Sequence, residues 1–305
     1  MTPGFDYNPD MTMTLLAASL VPAMMQGEPT SPYLLEIHQP GIVAAPAGLT
    51  DTATGRTVSV DEIAKAARGV RFVLVGEQHN TPAHHAMQAA VIEALVKDGR
   101  EVTVGFEMFT FDNQKSLAGW TQGRWTEEEF ITKANWETQW GFPFAAYRPI
   151  FEAVRTHKLP MVALNVPRTW VRQISRNGVD AMLPETKARV PKLDLSHKGH
   201  RMVFDSLMGG HAGDSMNNIY AAQVLWDEGM AINARREMDL RRANPKAVMV
   251  IVAGIGHVMH HAGINLRITQ GTGEPTISVV CVEPEAPSEV ARSLGHYVYR
   301  PAPGG

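Results

Sequence analysis

Four runs of apolar, largely β-branched residues constrain this chain more than anything else in it: "VRFVLVGE" (70–77), "EVTVGFEMF" (101–109), "AVMVIVAGIGH" (247–257) and "TISVVCVE" (276–283). All four read as strands, and the first, a continuous β-branched run ending at Gly76, reads as one buried on both faces. That is the condition of parallel strands sandwiched between helices. Helical segments separate the runs. "HHAMQAAVIEALVKDG" (84–99) has Asn80 or Thr81 to cap it, Pro82 in its first turn where a missing N–H costs nothing, and Gly99 to stop it.

The stretch 111–242 reads as mostly helical. Its helices are "SLAGWTQG", "TEEEFITKANW", "AAYRPIFEAVRTHK", "PRTWVRQISRNG" and "DSMNNIYAAQVLWDEGMAINARREMDLRR", the last weakened by Gly229, with one short strand, "LPMVALN". "HYVYRP" (296–301) predicts a short final strand. Strands alternating with helices argue for an α/β fold: a mostly parallel sheet flanked by helices, with a large helical cap inserted between core strands. The expected layout is one domain over 31–305, with a core at about 60–110 and 245–302 and a cap at about 111–244. Residues 1–30 form a leader, and its apolar stretch "TMTLLAASLVPAMMQG" resembles the hydrophobic region of a secretory signal but lacks a basic front. Export to the cell envelope and an apolar leader on a cytoplasmic protein both remain open on these residues, and the stretch is too short to predict a transmembrane span.

Composition narrows the partners. A net charge of −3 and a pI near 6.5 supply no basic field for nucleic acid. A small molecule or a second copy of the chain, a homodimer, suits such a surface better. The single cysteine, Cys281, excludes an intrachain disulfide and a thiolate zinc site. No GxSxG elbow and no Walker loop is present.

In an open α/β sheet, ligands bind beyond the carboxyl ends of the strands. That rule brings together Glu77 and His79, Glu107, Asn165 and His257 from four separated segments. Unpaired carboxylates and imidazoles in a buried crevice cost several kcal/mol, roughly, so their convergence marks a candidate site. Glu77, His79, Glu107 and His257 would serve as catalytic groups in a hydrolase, with His79 and His257 as candidate ligands of a divalent metal. The plainer reading makes each a structural group bonded to backbone at a strand end.

His84 and His85 are adjacent on a helix, so one is expected to be solvated. In "GIGHVMHHAG", His257 and His261 stand four apart, the spacing of one helix face, but the glutamate of an HExxH protease is missing. A satisfied histidine or a helix-end charge fits His260 and His261 as well. Gly254 and Gly256 fail the dinucleotide fingerprint, since Met259 takes the third glycine's place, and they suit close backbone approach instead.

Six blocks in order resemble the ChaN-like family of haem-binding uptake proteins, within the Tiki and erythromycin-esterase-like superfamily. They are "LVGEQHNTPAHHAMQ", "GFEMFTFDNQKSLAGW", "NWETQWGFPFAAYRPIFEAVR", "LPMVALNVPRTWVRQISRNGV", "YAAQVLWDEGMA" and "VAGIGHV", spread over about 49–301. The resemblance implies an α/β core with a helical cap and a haem-associated role in iron acquisition at the cell envelope. It also implies haem held at a dimer interface, with tyrosine ligation and histidine nearby. The usual lipid anchor is not implied, because no cysteine follows the apolar leader. The resemblance does not say which residue would hold the iron; Tyr147 and His211, flanked by aromatic or Met-rich sequence in the cap, are candidate axial donors, and Arg148 and Arg168 candidate propionate partners. Tyr147 reads equally as a core tyrosine with its hydroxyl bonded, and His211 as a solvated loop histidine. Haem binding is therefore the leading expectation, and ester or peptide hydrolysis by the strand-end quartet the alternative.

Overall fold

A computed structural model describes residues 31–209 and 214–304; the expected leader and His211 lie outside the described residues. In chain order the strands are β1 (Ile42–Ala44), β2 (Gly48–Asp51), β3 (Arg56–Val58), β4 (Phe72–Glu77), β5 (Glu101–Thr110), β6 (Met161–Asn165), β7 (Ala247–Gly254), β8 (Thr276–Cys281), β9 (Glu289–Ala291) and β10 (Tyr297–Arg300). The helices are α1 (Val60–Ala66), α2 (Pro82–Lys97), α3 (Ala118–Thr121), α4 (Glu127–Lys133), α5 (Trp136–Gln139), α6 (Phe144–His157), α7 (Arg168–Asn177), α8 (Pro184–Lys187), α9 (Lys198–Leu207), α10 (Asp214–Asp239) and α11 (Ile264–Thr272).

The main sheet has eight strands in the order β3-β2-β10-β8-β4-β7-β5-β6. From β10 to β6 every neighbouring pair is parallel. The α/β architecture expected from the four apolar runs is thus present, with those runs forming β4, β5, β7 and β8. Residues 48–58 add two strands that the apolar pattern does not reveal: β2 and β3 extend the sheet antiparallel beyond β10. They are only four and three residues long, and β3 carries an exposed Arg56, so neither has the continuous apolar signature of a central strand.

Two apolar layers cover the sheet. One packs Ile92, Leu95 and an aromatic group, Trp120, Phe130, Trp136, Phe144 and Phe151, against Val104 and Phe106. The other sets Met230, Ala234, Met238, Ile264 and Ile268 against Leu74 and Ile251. Gly229 does not interrupt α10, which runs unbroken for 26 residues. It serves a close approach instead, since a Cβ built there would stand 2.2 Å from Val166 Cγ1.

At the open edge of β6 two backbone groups are occupied by one side chain: Gln114 Nε2 donates to Met161 O (2.9 Å) and its Oε1 accepts from Ala163 N (2.7 Å). Such covering is a recognised defence of an exposed strand.

Gly229→Ala sets two effects against each other. Helix propensity favours alanine by about 1 kcal/mol, while the clash with Val166 costs about 1–3 kcal/mol. The clash is expected to win, lowering the urea unfolding midpoint; a raised midpoint would show that Val166 moves aside freely.

Candidate functional site

β4 delivers Glu77 to the carboxyl edge of the sheet with no exposed surface. Burial alone would raise its carboxyl, but the hydrogen bond from His79 and the close contact with His85 outweigh that and hold it below the ordinary range. Oε1 accepts from His79 Nδ1 and from the Tyr147 hydroxyl, each at 2.9 Å. His85 Nε2 stands 2.6 Å from Oε2, an ion-pair contact whose angle falls outside hydrogen-bond geometry.

His84 and His85 are both fully buried, which corrects the expectation that one is solvated. The first turn of α2 is covered on two sides. His85 Nδ1 donates to Ala146 O of α6 (2.9 Å), while His84 faces the other way, accepting from Gln78 N (3.0 Å) and donating to Val282 O (3.2 Å). That bonding fixes His84 as the neutral tautomer, in keeping with burial holding its imidazole below the usual range.

Glu107 lies where β5 parts from its neighbours. Pairing with β7 ends at Phe106, and the register against β6 shifts between Phe106 and Thr110. Irregularities of this kind re-aim side chains beside functional sites. Its Oε2 accepts from Gly254 N at 2.6 Å, and Oε1 lies 3.4 Å from His257 Nε2. Burial would raise this carboxyl, but the His257 charge and hydrogen bond, with His79 behind them, bring it to about 2.

His257 is in turn held by Asp227 of α10, Nδ1 to Oδ1 at 2.7 Å. Burial presses the imidazole down, yet Glu107 and Asp227 together lift it to about 10. Asp227 itself sits well below the carboxylate range: against burial act the His257 charge and the hydrogen bond from His200, whose Nε2 is 2.9 Å from Oδ2.

The four strand-end residues thus come together. A Cβ on Gly254 would stand 2.8 Å from His79 Cε1 and 3.6 Å from Glu107 Oε2, so glycine is there for close approach. Burial lowers the His79 imidazole, but Glu77's hydrogen bond and Glu107's charge hold it above the usual range. Its ring packs against Trp140 (4.6 Å between centroids) and Phe142 (5.3 Å). Nε2 makes no hydrogen bond among the described residues, and the side chain stays 28 % exposed.

The other candidates are differently engaged. Asn165 is engaged with backbone, donating to Glu107 O and accepting from Val166 N. Tyr147 is fully buried with its hydroxyl donating to Glu77; in this arrangement it is a floor residue and presents no free oxygen. Burial and the Glu77 charge push that phenol up, which disfavours the phenolate an iron ion would require.

Arg148 is committed to Glu127 through two hydrogen bonds, at 2.9 and 2.7 Å. Arg168 opens α7 exposed, within electrostatic reach of Glu107, and makes no hydrogen bond among the described residues. His257 and His261 do not share a helix face. Residues 255–261 form two short 3-10 turns with His260 at φ +55°, which sends His261 away to pack on His296. Among the described residues no group of three or more His, Cys, Asp or Glu side chains is placed to hold a metal ion, so the expectation of a metal at His79 and His257 finds no support.

Asp227, His200 and Arg267 escaped the sequence reading. The signal was present: Asp227 falls between Val224 and Ala231 on the apolar stripe of α10, where a lone carboxylate must be paired.

The sign of the pH dependence follows from these shifts. The raised His257 contributes stability that is fully present below its unfolded value, about 6.5, and is lost as pH rises towards its folded value of about 10. Glu107 contributes stability present above its unfolded value and lost as pH falls through about 2. Unfolding in urea at pH 6 and pH 9.5 should therefore show a fall in stability at the higher pH that Asp227→Asn reduces. An equal fall in the two proteins would contradict the Asp227–His257 coupling.

A model of the family described as haem-binding uptake, Tiki superfamily, ChaN matches residues 63–268. Among solved structures, the ChaN protein of Campylobacter jejuni with cofacially bound haem is similar at a TM-score of 0.62 and 18% identity, covering 82% of this chain and 94% of that one. A mutant erythromycin esterase, EreC, in its open conformation is similar at 0.46 and 12% identity, covering 78% and 76%. No curated protein matches the sequence.

Proposed function

Because this chain belongs to the haem-binding uptake family of the Tiki superfamily, we propose that it binds haem at the strand-end crevice and serves haem or iron uptake at the cell envelope. The observation that carries this reading is the presentation of His79. One ring nitrogen is bonded to a buried carboxylate while the other is free among the described residues, between two aromatic side chains. A carboxylate on Nδ1 fixes the tautomer and ring orientation and makes Nε2 a stronger donor. These residues fit an iron porphyrin, which would supply the reducible iron.

Apolar surface is available near Gly256, two residues from the glycine that His79 meets: Leu207 Cδ1 lies 3.2 Å from where a Gly256 Cβ would be, and Met202 and Leu207 of α9 and the following Met208 are exposed. Arg168, whose guanidinium makes no hydrogen bond among the described residues, offers a partner for a propionate. His211 follows α9 directly in sequence and remains a candidate second donor. Among the described residues no helix is long and apolar enough to cross a membrane.

A hydrolytic reading draws on a different observation, the Asp227–His257–Glu107 array. There His257 is oriented at one nitrogen and charged between two carboxylates, as a proton donor to a leaving group requires. Glu107 and Glu77 would then order water and His79 respectively.

Haem titration followed by absorbance separates the two. Wild-type protein should give a saturable Soret band. His79→Ala should shift that band and weaken binding at least roughly tenfold, as loss of an axial donor would. Tyr147→Phe should leave the spectrum unchanged while costing about 1–3 kcal/mol of stability, the penalty for a buried carboxylate deprived of one donor. A non-saturable response, or a band that moves with Tyr147→Phe and not with His79→Ala, overturns the assignment. Ester or peptide turnover that disappears in His257→Ala with haem binding intact would establish hydrolysis at the same crevice.

A further inference from the structure

A second cluster of polar groups lies under α11, sharing no residue with the strand-end crevice. His38, His261, Asn265, Thr269, Thr276 and His296 line a cavity of about 280 Å³. At its floor Asn265 is 1 % exposed, and neither its Nδ2 nor its Oδ1 has a hydrogen-bond partner among the described residues. A buried carboxamide left without partners on both atoms is costly and uncommon, and it calls for an occupant. Ordered water is the simplest one, and the surrounding groups point to something larger.

The imidazoles define what that occupant is. His296 Nδ1 accepts from Ser278 N at 3.1 Å, so in the neutral ring the proton sits on Nε2, which then acts as a donor and not as a metal ligand. His261 packs edge-on against His296 at 4.5 Å between centroids. Burial and the neighbouring histidines hold His261 at about 3, and burial holds His296 below the usual range, so both rings are neutral near pH 7.

Among the described residues no carboxylate or guanidinium lines this groove, whose rim residues His38, Thr269 and His296 are exposed. Its selectivity therefore falls to the buried polar groups at its base, above all Asn265. Asn265 offers a donor and an acceptor side by side, and the group that answers both is another amide presenting its N–H and C=O on one edge.

We infer that this cavity is a binding site for a small neutral amide, such as a primary carboxamide, lactam or ureide. Its amide edge pairs with Asn265, and its carbonyl accepts a second bond from His296 Nε2. Thr276 and Thr269 are placed for the remaining polar atoms, and Leu266 gives an apolar wall. The inference is independent of the haem reading.

Isothermal titration of the full chain with nicotinamide, and separately with nicotinic acid, tests it. Nicotinamide should bind saturably, and nicotinic acid at least roughly tenfold more weakly, since a carboxylate cannot donate to Asn265 Oδ1. Asn265→Leu should reduce nicotinamide affinity by a similar factor while leaving haem titration unchanged. If that variant does not fold, His296→Phe removes the second donor from an exposed rim and should weaken nicotinamide severalfold. Absence of saturable binding, equal affinity for the acid and the amide, or undiminished affinity in these variants overturns the inference. So does a crystal soaked in nicotinamide that shows only water on Asn265.

Discussion

A carboxylate without solvent at the end of the central strand is the constraint from which the rest of the site follows. Glu77 can stay ionised there only if donors reach it, and each comes from a different part of the chain: the β4–α2 connection, the first turn of α2, and α6. Removing one donor from such a group costs about 1–3 kcal/mol. The docking of α2 and α6 over the edge of the sheet is therefore bound up with the ionisation of one residue. The second carboxylate, Glu107, imposes the same demand on the other side, met by Gly254 N and by His257.

Charges alternate along the line this creates. Arg267 and His200 meet Asp227, Asp227 meets His257, His257 meets Glu107, and past Gly254 stand His79, Glu77 and His85. Neighbours of opposite sign raise the His79 and His257 imidazoles and lower the Glu77, Glu107 and Asp227 carboxylates. An array of this kind sets the ring orientation and protonation of His79 and His257 before any ligand arrives, which is what preorganisation requires.

Much of this was legible in the residues themselves. Runs rich in apolar, β-branched residues identified β4, β5, β7 and β8, and the strand-end rule picked out Glu77, His79, Glu107 and His257 without knowledge of their distances. What stayed hidden has physical reasons. β2 and β3 are too short and too polar at their exposed edge to carry a periodic signal. Asp227 reaches the site from a helix about 120 residues beyond Glu107, a contact that only tertiary packing creates. Helical spacing was misleading at His257 and His261, because φ near +55° at His260 breaks the repeat on which the spacing argument relied.

The side chain over β6 bears on how copies of this protein can meet. With Gln114 filling the outward-facing Met161 O and Ala163 N, that border of the sheet offers these two groups to no further strand. Growth by continuing one sheet into the next is closed off there, and with it the route by which an open α/β edge turns into an aggregate. Self-recognition at that end of the molecule must then proceed through side chains packing on side chains, an association that can saturate at a small number of copies where strand addition cannot.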